Sequence, residues 1–185
     1  MNVIKTKIKD LLIIEPRVFG DERGFFYETF QAERYKIEGI NESFVQDNRS
    51  RSSQGVLRGL HFQKNKPQGK LVTVTEGEVF DVAVDLRPNS ETFGQYEAVL
   101  LTGGNKLQFY VPPGFAHGFC VLSEIADFQY KCTDYYDSND ESGLLWNDHE
   151  LAIQWPLDNP LLSDKDKVQP TLNEIKSQLT IGWNK

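Results

Sequence analysis

Lys70-Leu71-Val72-Thr73-Val74-Thr75-Glu76-Gly77-Glu78-Val79-Phe80-Asp81-Val82-Ala83-Val84-Asp85 alternates apolar, mostly β-branched residues at period two and is interrupted once, at Glu76-Gly77. Period two over short runs flanked by turn residues is the pattern of β-strands, so Lys70 to Thr75 and Glu78 to Asp85 read as two strands joined by a tight turn. The same pattern continues on both sides, dominating from Gly55 to about Thr133. Further strands are predicted at Phe25 to Phe30, Val56 to Phe62, Tyr96 to Leu101, Leu107 to Val111, Phe119 to Leu122 and Asp127 to Thr133. Turns fall at Pro88-Asn89-Ser90, Gly103-Gly104-Asn105 and Ser123-Glu124. Helical signal is confined to Gln31–Ile37 and Leu172–Leu179. Many short antiparallel strands predict a mainly β sandwich, jelly roll or barrel, onto which the chain after Trp155 packs back.

A length of 185 residues suits one domain spanning 1–185. With 39% hydrophobic and 12% aromatic residues, disordered, collagen-like and coiled-coil classes are excluded. The net charge of −7 argues against nonspecific binding to nucleic acid or to an anionic membrane. An anionic ligand would need a local cluster of Arg and Lys. Cys120 and Cys132 have neither disulfide-framework nor metal-ligand spacing and read as buried thiols of a cytoplasmic protein. The N-terminal run Leu11–Ile14 is too short for a signal peptide, and no segment reaches the ~20 apolar residues of a membrane span.

Imidazole chemistry must draw on His61, His117 and His149. His61 lies in Leu57-Arg58-Gly59-Leu60-His61-Phe62-Gln63, where a cation and an imidazole interrupt an apolar strand; burying them is costly without partners or a ligand. Arg58 and His61 are three apart and face opposite ways in a regular strand, so both can line one cavity only if Gly59 marks a bulge. A metal site would call for a second imidazole where Gln63 stands, and Gln is a poor transition-metal ligand. Lys70 shares its face with Val72 and Val74, and Tyr130 shares one with Phe128 and Cys132. A buried ammonium can stabilise an enolate oxygen and a phenol can donate a proton; a snorkelling lysine and a core tyrosine remain the plain alternatives. Asp81 and Asp85 share a face with Val79 and Ala83 and need a cation, for which Lys70 is a candidate. Val111-Pro112-Pro113-Gly114-Phe115-Ala116-His117-Gly118-Phe119 reads as a rigid turn presenting His117, either to a ligand or simply as a connection. Leu162-Ser163-Asp164-Lys165-Asp166 reads as a charged loop, solvated or closing over a site.

In order along the chain, Gly20-Asp21-Glu22-Arg23-Gly24-Phe25-Phe26, Phe44-Val45-Gln46-Asp47-Asn48, Leu57-Arg58-Gly59-Leu60-His61-Phe62-Gln63, Gln68-Gly69-Lys70-Leu71-Val72, the strand Gly77–Asp85, Gly114-Phe115-Ala116-His117-Gly118-Phe119, Trp146-Asn147-Asp148 and Leu162–Asp166 resemble the dTDP-4-dehydrorhamnose 3,5-epimerase family. The likeness runs from about Ile4 to Leu172. It implies a cupin-type antiparallel jelly roll, active as a homodimer without metal or organic cofactor, on a dTDP-4-keto-6-deoxyhexose. By the same resemblance His61 is the base, Asp166 its orienting carboxylate, Tyr130 the acid and Lys70 the group at the enolate oxygen. Arg23, Glu28, Gln46, Asp47, Asn48, Arg58, His117, Glu141 and Lys165 fall at substrate-contacting positions. Phe26 and Tyr136 are stacking surfaces for thymine, and the segment bearing Arg23 and Phe26 reaches the partner's site. Two alternatives stay open: an epimerase acting on one carbon of a related 4-keto sugar nucleotide, and a noncatalytic sugar-nucleotide-binding cupin.

Overall fold

A computed structural model describes residues 1–179. Its strands, in chain order, are β1 (Asn2–Lys5), β2 (Leu12–Glu15), β3 (Val18–Asp21), β4 (Gly24–Tyr27), β5 (Gln46–Ser53), β6 (Leu57–Gln63), β7 (Lys70–Glu76), β8 (Glu78–Asp85), β9 (Tyr96–Thr102), β10 (Gln108–Val111), β11 (Phe115–Val121), β12 (Ile125–Cys132) and β13 (Glu141–Gly143). Two short α-helices, α1 (Ala32–Ile37) and α2 (Leu172–Ile175), complete the frame. Six strands form one sheet in the order β1-β2-β10-β7-β12-β5 and five form a second in the order β13-β6-β11-β8-β9, with every strand pairing antiparallel. Their apolar faces meet in a core that includes Val72, Val74, Val79, Ala83, Phe109, Phe119 and Phe128.

Both sheets are covered on their outer faces as well. On the second, Val82 and Val84 pack against Leu144, Leu151, Leu172 and Leu179, so the chain after Trp155 does fold back. On the first, Leu12, Ile14, Leu71 and Tyr110 pack against Tyr35 of α1 and Ile40. Two buried faces explain why β8 is interior along nearly its whole length: its period-two pattern sorts residues between two cores instead of between core and water. The mainly β jelly-roll expectation holds, and Cys120 and Cys132 are free and buried.

Several boundaries differ from expectation. β sheet begins at Asn2, well before Gly55, and β4 ends at Tyr27 instead of Phe30. The polar run Gln46–Ser53 is a strand, held by eight register pairs with β12. His117 lies inside β11, because the connection ends at Gly114 (φ 97°) and pairing with β8 already begins at Phe115.

The bulge expected at Gly59 is present. His61 pairs with His117 and Arg58 with Phe119, so three steps along β6 oppose two along β11. Gly59 has φ 125°, and a Cβ built there would lie 2.5 Å from Gly118 Cα. Gly59→Ala is therefore expected to lower stability by about 2–5 kcal/mol, combining left-handed strain with overpacking against backbone. A chemical-denaturation midpoint within error of the parent would contradict this.

Candidate active site

The bulge turns Arg58 and His61 into one cavity of about 460 Å³ between the sheets, lined also by Lys70, His117, Phe119, Phe128, Tyr130, Ser163, Lys165 and Asp166. His61 comes from the five-stranded sheet, and Lys70 and Tyr130 come from the six-stranded sheet facing it.

His61 Nε2 lies 2.6 Å from Asp166 Oδ1, and Ser163 Oγ donates to Asp166 Oδ2 at 2.8 Å. Burial works to raise the Asp166 pKa, but its bonds with His61 and Ser163 outweigh that and hold the carboxyl below the ordinary range. Asp166 stays anionic at neutral pH and fixes the imidazole from behind. The adjacent Asp164 is fully exposed and paired with Lys167, so geometry selects Asp166.

Burial raises the Tyr130 phenol above its usual value, so it stays protonated and able to donate. Lys70 is pushed down by burial, while Cys132, Asp81 and Glu141 oppose the shift. Its ammonium lies 5.8 Å from the Tyr130 ring centroid and has no carboxylate bonded to it among the described residues. An ammonium without an ion-pair partner, held beside a phenol, is suited to negative charge that develops during a reaction. Arg58 likewise has no carboxylate partner among the described residues; its Nε donates to Ser52 Oγ at 3.1 Å, leaving the rest of the guanidinium free for an anion.

At the rim, Gln46 Oε1 accepts from the Tyr136 backbone N–H at 3.0 Å, the Tyr136 hydroxyl donates to Glu141 at 2.6 Å, and Lys165 pairs with Glu141. Asn48 stands in register with Tyr130 and donates to Cys132 Sγ at 3.5 Å. Lys165 thus lines the cavity, Glu141, Tyr136 and Gln46 connect to it bond by bond, and Asn48 neighbours Tyr130.

Four others do not reach the rim within one chain. Asp47 points to the opposite side of β5 from Gln46 and Asn48, as strand alternation requires, and binds Lys131 at 3.0 Å. Arg23 pairs with Asp21, and Glu28 with Arg34; Phe26 is 70% exposed on the separate β3–β4 hairpin.

Asp81 and Asp85 also have partners other than the expected Lys70. Asp81 takes His117 Nε2 at 2.9 Å, and Asp85 takes Arg87, Ser90 and Thr92. Gln63 is spent on loop closure, donating to the carbonyls of Lys66 and Tyr135 and accepting from the Asp137 N–H. Sequence reasoning missed Ser163 and Ser52, whose only signal is a hydroxyl beside a charged residue, and the stacked Phe119–Phe128 pair (centroids 3.9 Å apart) beneath His117.

A jelly roll carrying an oriented imidazole on one sheet and a protonated phenol with an ammonium on the other is a cupin-type enzyme of acid–base chemistry, of the isomerase kind. The family model for dTDP-4-dehydrorhamnose 3,5-epimerase matches residues 5–174, and the chain belongs to that family. A relative of that name from Escherichia coli (strain K12) is 58% identical over 178 residues, spanning 95% of this chain and 96% of its own. The solved structure of dTDP-6-deoxy-D-glucose-3,5-epimerase RmlC from Legionella pneumophila Philadelphia 1, in complex with dTDP-4-keto-L-rhamnose, is 58% identical with a TM-score of 0.93 over 96% of each chain. That of dTDP-4-dehydrorhamnose 3,5-epimerase from Bacillus anthracis str. Ames, with TDP and PPi bound, is 50% identical with a TM-score of 0.90, over 92% of this chain and 99% of its own. The chain is thus an epimerase of the dTDP-rhamnose pathway.

Proposed function

We propose that residues 1–185 form one epimerase domain that converts dTDP-4-dehydro-6-deoxy-D-glucose to dTDP-4-dehydro-L-rhamnose by inverting C3 and C5. Both carbons flank the C4 ketone, so loss of either proton leaves an enolate whose charge rests on the C4 oxygen. His61, oriented by Asp166, takes the proton; Lys70 stabilises the enolate oxygen; Tyr130 returns a proton from the facing sheet. Arg58 meets the diphosphate, Tyr136 stacks on thymine, and the sugar contacts include Gln46, Asn48, His117, Glu141 and Lys165. The observation that carries this reading is the 2.6 Å His61–Asp166 pair facing a half-buried phenol across the cavity.

The chemistry uses no metal. The test is incubation of chelator-treated protein with the 4-keto substrate in D2O, followed by NMR. Deuterium at both C3 and C5 with formation of the L-rhamno product is expected. Exchange at one carbon would make the chain a single-centre epimerase, and exchange at neither a binding protein.

The working unit is a homodimer. Its support is the β3–β4 hairpin, which among the described residues forms a sheet only with itself and exposes Phe19, Phe25 and Phe26 at 51%, 63% and 70%. Apolar surface of that kind marks an interaction face, and Arg23, Phe26 and Glu28 on this segment would complete the partner's pocket. An Arg23→Ala protein mixed with a His61→Ala protein is then expected to recover about a quarter of parental activity at statistical exchange, since half the dimers carry one intact site. No recovery after verified subunit exchange would sink the shared site. The compartment is the cytoplasm, supported by two free buried thiols; among the described residues no helix is long and apolar enough to cross a membrane.

A further inference from the structure

At the cavity wall lies a second imidazole–carboxylate pair to which the reaction scheme gives no proton transfer. Asp81, on β8, is wholly buried and is not among the cavity-lining residues. Its two oxygens lie 2.9 and 3.1 Å from His117 Nε2. His117 is 5% exposed and does line the cavity. No hydrogen bond to its Nδ1 exists among the described residues, yet no buried side-chain nitrogen is left unsatisfied, so Nδ1 opens onto the cavity.

The groups facing this imidazole are Asp81 from β8, Lys70 from β7, His61 from β6 and the Phe128 ring from β12. Burial, Lys70 and His61 disfavour the imidazolium; Asp81 alone favours it, and the balance lies below the ordinary histidine value. A neutral imidazole whose Nε2 faces a carboxylate keeps its proton there, which leaves Nδ1 bare.

We propose that Asp81 is a positioning residue acting through His117: it holds the ring as the neutral Nε2–H tautomer, so that Nδ1 is a hydrogen-bond acceptor facing the cavity. Arg58, Lys70, Lys165 and the Tyr130 hydroxyl serve anionic or carbonyl oxygens. The Nδ1 acceptor instead reads a hydroxyl of the sugar, and a phosphate oxygen has no proton to offer it. The inference rests on the proposed reaction only for the identity of the sugar, because the tautomer belongs to the free protein.

The test is 15N NMR of the imidazoles in 15N-labelled protein without substrate, the three histidines being assigned with His61→Gln and His149→Gln variants. His117 is expected to show a protonated Nε2 and a bare Nδ1 from pH 6 to 8. An Nδ1–H tautomer or an imidazolium in that range overturns the proposal, whether or not any Asp81 variant folds. In Asp81→Asn the single tautomer should give way to a mixture. Its kcat/KM should fall about three- to tenfold, the range for one hydrogen bond between neutral groups, with more of the loss in KM than in kcat. A folded Asp81→Asn protein with an unchanged spectrum and unchanged kcat/KM also overturns it. Failure of the epimerase reading would appear separately, as absence of deuterium exchange with the tautomer intact.

Discussion

His61→Ala is expected to abolish deuterium uptake at both C3 and C5. Without the imidazole no group on that wall takes the proton: Asp166 lies behind the ring and is held anionic by bonds from His61 and Ser163, not aimed at the sugar. A general base contributes ~10² to 10⁴ in rate, and because enolate formation precedes either inversion, the full loss should appear at both carbons. It should lie in kcat and persist at saturating substrate, because the proposed binding groups Arg58, Lys165 and Glu141 remain. Normal exchange in a folded His61→Ala protein would remove this residue from its role and direct attention to His117.

Tyr130→Phe should separate exchange from inversion. The phenol oxygen is lost while the ring, its packing beside Phe128 (centroids 5.8 Å apart) and the Lys70 ammonium stay, so the enolate still forms. Its reprotonation then comes from protonated His61 on the same wall, or from solvent. Return from the same face restores the starting configuration with deuterium in it. Washout of a C3 or C5 proton should therefore outlast net formation of the L-rhamno product, which falls by about 10² or more. Inversion of both centres at the parental rate would show that another group is the acid.

The parts of this site legible in the sequence are those where strand parity conflicts with chemistry. Arg58 and His61 could share a cavity only across a bulge, and the one residue able to make it, Gly59, does so against Gly118. Alternation alone puts Lys70 on one face with Val72 and Val74, and Tyr130 on one with Phe128, and both faces turn out to be inward. Parity names a face but not a neighbour, so the sequence offers Lys70 as a partner for Asp81 although the register sets Asp81 diagonally from His117 on the adjacent strand. The polar strand Gln46–Ser53 was illegible because its stability comes from pairing along β12, leaving no apolar pattern to read. Asp47 came from a motif, and the same alternation that turns Gln46 and Asn48 inward turns it out. Arg23 and Phe26 carry no local signal for a site, since nothing in their own chain gives them one.

His61, the proposed base, and Asp166, the carboxylate bonded to it, are 105 residues apart. The backbone joins them where Leu57 N–H donates to the Leu161 carbonyl and Leu161 N–H to that of Gly55, a parallel bridge that ties the late segment to β6. The His61–Asp166 pair is therefore complete only once the segment after Trp155 has been added. A ribosome-bound chain ending at Trp155 already contains β6, β7 and β12 with His61, Lys70 and Tyr130, yet it has no Asp166 to steer the imidazole.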